Sequence, residues 1–218
     1  EDVSEKVKLE DEGWAGDATP ADFNRDGWTD LYVLNMQGND KYYVNMKGKY
    51  FEERTQANFP LTPWGSMGVK VFDFDNDGNM DLYVTDMHSD MSEDIGPERE
   101  KLKARMQFPE DLLLTNGKSI WGNAFYHNKS AGKFKEVSDQ IGAENYWPWG
   151  ISVGDLNADG FDDVFIASSM NYPFRYAVNS VLLNNKGKAF LDSEFILGVE
   201  PRGDGRLTEP WFELLYKG

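Results

Sequence analysis

The amino-acid sequence predicts an all-β fold, a β-propeller built of four-stranded blades. Three features support this prediction: an Asp-rich loop that occurs three times, a strand pattern on both sides of the loop, and a glycine turn followed by another strand pattern. One repeat therefore contains four short strands, and such a unit repeated around a centre is a propeller blade. We expect about three blades, which form a partial propeller in a single domain at residues 1–218.

The Asp-rich loop and the strand after it align without gaps in three copies, at residues 22–33, 73–84 and 155–166. Apolar residues alternate before the second and third loops, as Val69 and Val71 do in copy two. Each loop runs into Leu-Tyr-Val or an equivalent, which is the β-branched and aromatic composition of a strand. The later turn of each copy carries an asparagine, a glycine and a phenylalanine: Asn45, Gly48 and Phe51; Asn128, Gly132 and Phe134; Asn184, Gly187 and Phe190.

The repeat spacing places blade one at about residues 12–57, blade two at about 64–138 and blade three at about 147–195, with the tail 196–218 as a candidate start of a further blade. Blade two is longer because of an insertion at residues 88–121. Within it, Pro97 and the Leu102/Met106 pair predict one short helix, and the insertion either forms a binding surface or covers a sheet edge. Pro20 stands where an inner-strand residue is expected, which predicts an irregular first strand in copy one.

The spacing of oxygen-bearing residues in the loops predicts about three calcium (Ca2+) sites. Calcium takes roughly six to eight oxygen ligands. Side chains at loop positions 1, 3 and 5 converge on one point, position 7 offers its backbone carbonyl, position 9 returns a carboxylate, and glycine at position 6 allows a positive φ. The predicted ligands are Asp22, Asn24, Asp26, Trp28 and Asp30 in copy one; Asp73, Asp75, Asp77, Asn79 and Asp81 in copy two; and Asp155, Asn157, Asp159, Phe161 and Asp163 in copy three.

Asp, Asn and Gly also build ordinary β-turns, so one loop of this composition could be a turn without a metal. Three loops that share five ligand positions and one glycine favour the metal interpretation, because clustered carboxylates repel each other unless a cation lies among them. The loops are not EF-hands, since position 12 is Val33, Val84 or Ile166 instead of glutamate.

Charge and composition exclude several classes of function. The chain has 22 Lys and Arg against 38 Asp and Glu, a formal net charge of −16, whereas nucleic-acid binding needs a basic surface. No cysteine is present, so the fold uses neither disulfides nor thiolate metal ligands. No apolar run approaches the length of a membrane span, and the N-terminus lacks the order of a secretion signal, which was either cleaved or never present.

These repeats resemble the FG-GAP/VCBS repeat family, the calcium-binding blades of integrin α-subunit propellers and of many secreted bacterial proteins. The resemblance covers roughly residues 12–195. The segments 63–68 and 147–150, which precede loops two and three, look most like the group that includes cartilage acidic protein and its bacterial relatives. The resemblance implies a propeller, calcium held by the Asp loops, and an extracellular or periplasmic location.

We expect a secreted or periplasmic calcium-binding scaffold whose partner is a protein or polysaccharide, with other subunits or further blades of a larger chain as additional partners. No catalytic motif supports an enzyme, and His88 and His127 read as solvated loop side chains more readily than as general bases. Two alternatives stay open. One is a glycan-acting lyase or dehydratase, an activity that some proteins similar to this repeat family carry, and the other is an accessory subunit of a membrane-bound complex.

Overall fold

A computed structural model describes residues 1–10, 13–87, 118–171, 175–176 and 178–200 of the chain. The helix predicted between Pro97 and Met106, most of the predicted insertion and the tail from residue 201 onward lie outside these described residues. Strands dominate the described part, which otherwise contains three one-turn helices: α1 (Ser4–Val7), α2 (Thr55–Asn58) and α3 (Ser138–Ile141). The prediction of an all-β fold is therefore confirmed.

Three four-stranded antiparallel sheets follow one another along the described chain. Sheet one comprises β1 (Ala15–Ala21), β2 (Asp30–Asn35), β3 (Lys41–Asn45) and β4 (Phe51–Glu53). Sheet two comprises β6 (Ser66–Phe72), β7 (Asp81–Asp86), β9 (Ala124–Asn128) and β10 (Phe134–Glu136). Sheet three comprises β11 (Pro148–Gly154), β12 (Asp163–Ser168), β15 (Ser180–Asn184) and β16 (Phe190–Asp192). In each sheet the spatial order follows the chain, so every strand pairs with the next strand of its own sheet.

Among the described residues, two short strand pairs lie outside these sheets. The strand β5 (Thr62–Pro63) runs parallel to β8 (Ser119–Ile120), so the described end of the predicted insertion pairs with the segment that leads into sheet two. The strand β13 (Met170–Asn171) pairs with β14 (Arg175–Tyr176) beyond the end of β12. In the part of the chain that the structure describes, no helix is long and apolar enough to cross a membrane.

The first strand of each sheet has the same irregularity of pairing. The register with the second strand shifts between Ala15 and Asp17 in sheet one, and at the matching place in sheets two and three. Pro20 itself pairs regularly with Leu31. The irregular first strand predicted for copy one therefore exists, but the shift lies away from Pro20 and is common to all three copies.

Two apolar cores lie between successive sheets. Because side chains alternate along a strand, each sheet presents one face to the sheet before it, the leading face, and one to the sheet after it, the trailing face. Core one joins the trailing face of sheet one (Tyr32, Leu34, Tyr42, Val44) to the leading face of sheet two (Val69, Leu82, Val84, Tyr126). Core two joins the trailing face of sheet two (Phe72, Phe74, Tyr83, Phe125) to the leading face of sheet three (Ile151, Val164, Ile166, Leu182).

Burial on both faces explains the composition of the middle strands. All six residues of β7 are buried, because sheet two lies between both cores. The first strands β1, β6 and β11 also lie side by side, which brings the Asp-rich loops that follow them to the same end of neighbouring sheets. The fold thus positions the three loops next to one another.

Candidate metal centre

Each Asp-rich loop connects the first and second strands of its sheet and folds around its first aspartate. In loop one, the carboxylate of Asp22 accepts hydrogen bonds from the backbone N–H of Asp26 at 3.1 Å and of Gly27 at 2.8 Å. Asp73 in loop two and Asp155 in loop three accept the same two bonds from positions 5 and 6, at 2.9–3.0 Å. The carboxylate at position 1 therefore fixes the curvature of all three loops.

Two residues of each loop have left-handed backbone conformations. The glycine at position 6 has φ of 87° in loop one, 85° in loop two and 88° in loop three, which fits the role predicted from the sequence. Position 4 is also left-handed, although it is Arg25, Asn76 or Ala158, with φ between 58° and 61°. Such a conformation costs roughly 1–2 kcal/mol for a residue with a side chain. Sequence reasoning missed this position because a non-glycine residue gives no signal of it.

The aspartate at position 9 is buried and ties its loop to the sheet. Asp81 Oδ1 accepts the backbone N–H of Asn128 at 2.7 Å, and its Oδ2 accepts the backbone N–H of Phe74 at 2.9 Å. Asp163 makes the equivalent bonds with Asn184 and Leu156. A carboxylate oxygen has two acceptor sites, so these bonds leave capacity for a cation.

Loop one differs at this position. Asp30 Oδ1 accepts the backbone N–H of Asn45 at 2.8 Å, but its Oδ2 accepts the hydroxyl of Tyr42 at 2.8 Å instead of a loop N–H. Burial raises the pKa of Asp30, and it raises the pKa of Asp81 to about 7, with Asp75 and Asp77 adding to the shift of Asp81. The cause is that both carboxylates lose water while negative neighbours stay close, a situation that a bound cation would reverse.

The oxygens of loop two converge most clearly. One carboxylate oxygen from each of Asp73, Asp75 and Asp81 lies within 4.8 Å of the others. Asp75 Oδ1 is buried and has no described hydrogen-bond partner. An unpaired buried carboxylate oxygen is costly, so a bound ion is a physical reason for its position. Loop two therefore offers an all-oxygen set that matches the chemistry of calcium.

His127 lies beside the same aspartate. Its Nε2 is 3.0 Å from Asp75 Oδ2, and oxygens of Asp75 and Asp77 together with a ring nitrogen of His127 lie within 4.8 Å of one another. The matching residue in sheet one is Val44 and in sheet three Leu183, so this neighbour is particular to loop two. The sequence predicts a solvated loop side chain at His127, whereas the structure half-buries it against the candidate metal loop.

Loops one and three carry asparagine at position 3, where loop two carries Asp75. The asparagine side chain bonds within its own loop. Asn24 Oδ1 accepts the backbone N–H of Asp26 at 2.9 Å, and Asn157 Oδ1 accepts that of Asp159 at 2.9 Å. The carboxylate at position 5 in turn accepts the backbone N–H at position 7, from Trp28, Asn79 or Phe161, at 2.7–3.0 Å. Side-chain oxygens of position 3 in loops one and three, and of positions 1 and 5 in all three loops, therefore accept backbone N–H groups of their own loop, and the binding of an ion by these positions stays a prediction.

Neighbouring sheets close over these loops. The side-chain amide of Asn128 donates to the carbonyl of Phe23 in loop one at 3.0 Å, and that of Asn184 donates to the carbonyl of Phe74 in loop two at 2.8 Å. The turn glycine after each asparagine lies against position 3 of the same loop, since a Cβ on Gly187 would come within 2.4 Å of Asp75 Cβ. The sheet that follows a loop therefore forms part of its environment.

The loops also contact each other directly. Arg25 Nη1 donates to Asn79 Oδ1 at 3.4 Å, which joins loop one to loop two. Asn76 Nδ2 donates to the carbonyl of Gly160 at 3.0 Å, which joins loop two to loop three. His88, the other histidine of the chain, lies outside the described residues.

These observations define a repeat protein of four-stranded, blade-like sheets with an acidic loop in each repeat. The FG-GAP-like repeat matches residues 22–84 and 110–166, which is more than half of the 218 residues. The chain therefore belongs to the FG-GAP-like repeat family, as the sequence predicted. A comparison with curated proteins found no match.

Proposed function

We propose that this protein is a calcium-binding β-propeller scaffold that presents a surface to a protein or polysaccharide partner in an extracellular or periplasmic compartment. The observation that carries the proposal is the acidic cluster of loop two, in which three carboxylates converge and Asp75 Oδ1 is buried without a described hydrogen-bond partner. Oxygen ligands at this density favour a hard divalent cation. Membership of a repeat family supports the role of an interaction scaffold.

Calcium would act as a structural ion. Each loop carries hydrogen bonds to its own sheet, and loops one and two also bond to the next sheet, so an ion held in the loop stabilises strands that are far apart in sequence. Calcium also offsets the repulsion between the carboxylates, which the net charge of −16 makes substantial. Millimolar calcium outside the cell suits sites of modest affinity, which supports the extracellular or periplasmic location.

Chelation tests the proposal. An extracellular-type site with a Kd of about 10⁻⁴ M adds roughly 1.4 kcal/mol of stability in about 1 mM calcium, so three sites add roughly 4 kcal/mol. At about 2–4 °C per kcal/mol for a chain of this size, EGTA should lower Tm by roughly 8–16 °C.

The matched variant Asp73→Asn keeps an oxygen that can accept the bond from Asp77 but removes a charge from loop two. Its Tm should fall less on chelation than that of the wild type, because one site is already weakened. Magnesium at the same concentration is the control for ionic strength, and it should not restore Tm. A Tm that is the same in calcium and in EGTA would refute the metal proposal.

A further inference from the structure

Sheet two differs from the other two sheets at two positions that lie in contact with each other. Loop position 3 is Asp75, where the other two loops have asparagine. The residue before the turn asparagine is His127, where the other sheets have Val44 and Leu183. His127 Nε2 lies 3.0 Å from Asp75 Oδ2. An imidazole and a carboxylate therefore replace an aliphatic side chain and an amide at one place of the repeat.

The contact with His127 does not satisfy both oxygens of Asp75. His127 reaches Oδ2, whereas Oδ1 is buried and has no hydrogen-bond partner among the described residues. The carboxylate is also held in place from sheet three, because a Cβ on Gly187 would collide with Asp75 Cβ. A histidine that only neutralised Asp75 would leave Oδ1 buried without a partner, which is costly. A cation bound by the carboxylate would give both oxygens a partner, since carboxylates bind cations through one or both oxygens.

Asp77 supplies a third ligand group beside this pair. One oxygen each of Asp75 and Asp77 and a ring nitrogen of His127 lie within 4.8 Å of one another. The oxygens of Asp77 accept the backbone N–H of Asn79 at 2.7 Å and its side-chain amide at 2.9–3.0 Å. Each carboxylate oxygen has two acceptor sites, so these bonds leave room for an ion. The side chains of His127 and Asp75 are 13% and 25% exposed while Asp77 is exposed, so an ion held here is partly shielded but can enter from solvent.

The nitrogen ligand changes the class of metal that the loop prefers. Calcium selects oxygen ligands, whereas imidazole suits zinc and other transition metals. Zinc binds histidine nitrogen and carboxylate oxygen at about 2.0–2.2 Å, so two such ligands at a right angle lie roughly 3 Å apart. The separation of His127 Nε2 and Asp75 Oδ2 has this value. The matching places in sheets one and three carry Val44 and Leu183, which have no atom that can bind a metal.

We propose that loop two binds an imidazole-ligated divalent cation, of which zinc is the representative, through Asp75, Asp77 and His127, whereas loops one and three bind calcium alone. The inference rests on the metal-binding role proposed for the loops and assigns a different metal to one of them. Asp75 also belongs to the all-oxygen set with Asp73 and Asp81. Zinc and calcium are therefore alternative occupants of loop two, and the zinc level of the compartment would decide which ion it holds.

Equilibrium dialysis with zinc in calcium-free buffer tests the assignment. The parent chain for this test carries His88→Gln, which removes the only other histidine. It should bind one zinc ion that depends on His127. His127→Gln keeps a side-chain N–H that can donate to Asp75, and His127→Leu copies sheet three, but neither supplies an imidazole. Both should lower the zinc affinity at least about tenfold, because losing even an outer partner of a metal ligand costs about 10–100-fold.

Asp75→Asn is the matched variant on the carboxylate side, because it gives loop two the asparagine that the other loops have. It should also lower the zinc affinity at least about tenfold, since a neutral amide oxygen is a weaker zinc ligand than a carboxylate. Calcium binding, measured separately in zinc-free buffer, should keep the same number of ions in Asp75→Asn and in His127→Gln. The oxygen ligands that calcium needs are still present in both variants.

The outcomes separate this inference from the proposed calcium function. Unchanged zinc affinity in both His127→Gln and His127→Leu would show that the imidazole is no ligand, and it overturns the inference. A parent chain that binds calcium but no zinc overturns it as well, and leaves the calcium function standing. A chain that binds neither ion refutes both. The far-UV spectrum of each variant shows whether it has folded, and His127→Gln keeps the test decisive if His127→Leu does not fold.

Discussion

The strongest energetic prediction concerns the asparagine that joins one sheet to the loop of the sheet before it. The side-chain amide of Asn128 donates to the carbonyls of Phe23 at 3.0 Å and Met80 at 3.1 Å, and its Oδ1 accepts the backbone N–H of Gly132 at 3.0 Å. Asn128 is 0% exposed. Replacement by alanine leaves three backbone groups without this partner, and two of them, the Phe23 carbonyl and the Gly132 N–H, are in buried hydrogen bonds.

Asn45 is the matched position in sheet one and serves as the control. Its amide donates to the carbonyl of Thr29 at 2.9 Å and its Oδ1 accepts the backbone N–H of Gly48 at 2.7 Å, but no described residue of a preceding loop lies against it. Asn45 is half-buried, so water can replace part of what alanine removes. The two variants therefore differ chiefly in the bond between sheets and in burial.

The expected magnitudes follow from these contacts. A buried group left unpaired costs about 1–3 kcal/mol, so Asn128→Ala should lower the free energy of unfolding by roughly 3–5 kcal/mol. Asn45→Ala should cost about 1 kcal/mol, because its partners remain accessible to water. Urea unfolding followed by tryptophan fluorescence, in saturating calcium, measures both. Equal losses for the two variants would refute the assignment of the asparagine as an inter-sheet bond.

Two further predictions concern pH and the loop backbone. Burial raises the pKa of Asp40 from 3.8 to about 8. The contribution of Asp40 to the free energy of unfolding is therefore largest below about pH 4, where the carboxyl is protonated in both the folded and the unfolded chain, and it is lost as the pH rises to about 8. The variant Asp40→Asn introduces the residue that sheet two has at the same repeat position, Asn123. In EGTA, the stability of this variant relative to the wild type should increase as the pH rises from about 5 to about 8. A difference in urea midpoint that does not change with pH would contradict this. Gly160→Ala should cost about 1–2 kcal/mol, because φ is +88° there and an added Cβ meets nothing within 4 Å, so only the backbone is strained. Gly154→Ala, whose Cβ also meets nothing but whose φ is ordinary, should cost less than about 0.5 kcal/mol, and equal unfolding midpoints for the two variants would contradict the backbone explanation.

The sequence predicted the elements of the fold because the repeat shows them three times. Alternating apolar residues marked β6 and β11, and glycine at loop position 6 marked the place where φ must be positive. Position 4 could not be predicted, since Arg25, Asn76 and Ala158 share no side-chain property that requires a left-handed backbone. Three unrelated residues in one conformation show that the loop, and not the residue, imposes it.

The inter-sheet contacts could not be predicted from the sequence either, because the residues that form them are far apart along the chain. Asn128 and Phe23 are 105 positions apart, and no local pattern indicates that an asparagine at a turn reaches the preceding sheet. The same holds for His127, which lies 52 positions from Asp75. The sequence identified the candidate ligands of each loop, whereas the neighbours that bury them depend on how the sheets pack.

The position 9 aspartates illustrate the limit on the ligand prediction. They were predicted as returning carboxylates, and the structure shows that Asp81 and Asp163 also accept two backbone N–H groups each. A residue that organises a strand and a residue that binds an ion give the same signal in a sequence.

The most direct test of the account is the number of calcium ions that the chain binds. Equilibrium dialysis in buffered calcium should give saturation at about three ions per chain, as the three loops predict. Asp22→Asn, Asp73→Asn and Asp155→Asn should each weaken or remove one of these ions while leaving the others. Saturable binding of about three ions, reduced stepwise by the variants, is the predicted result, and the absence of saturable binding to the folded wild type would contradict the account.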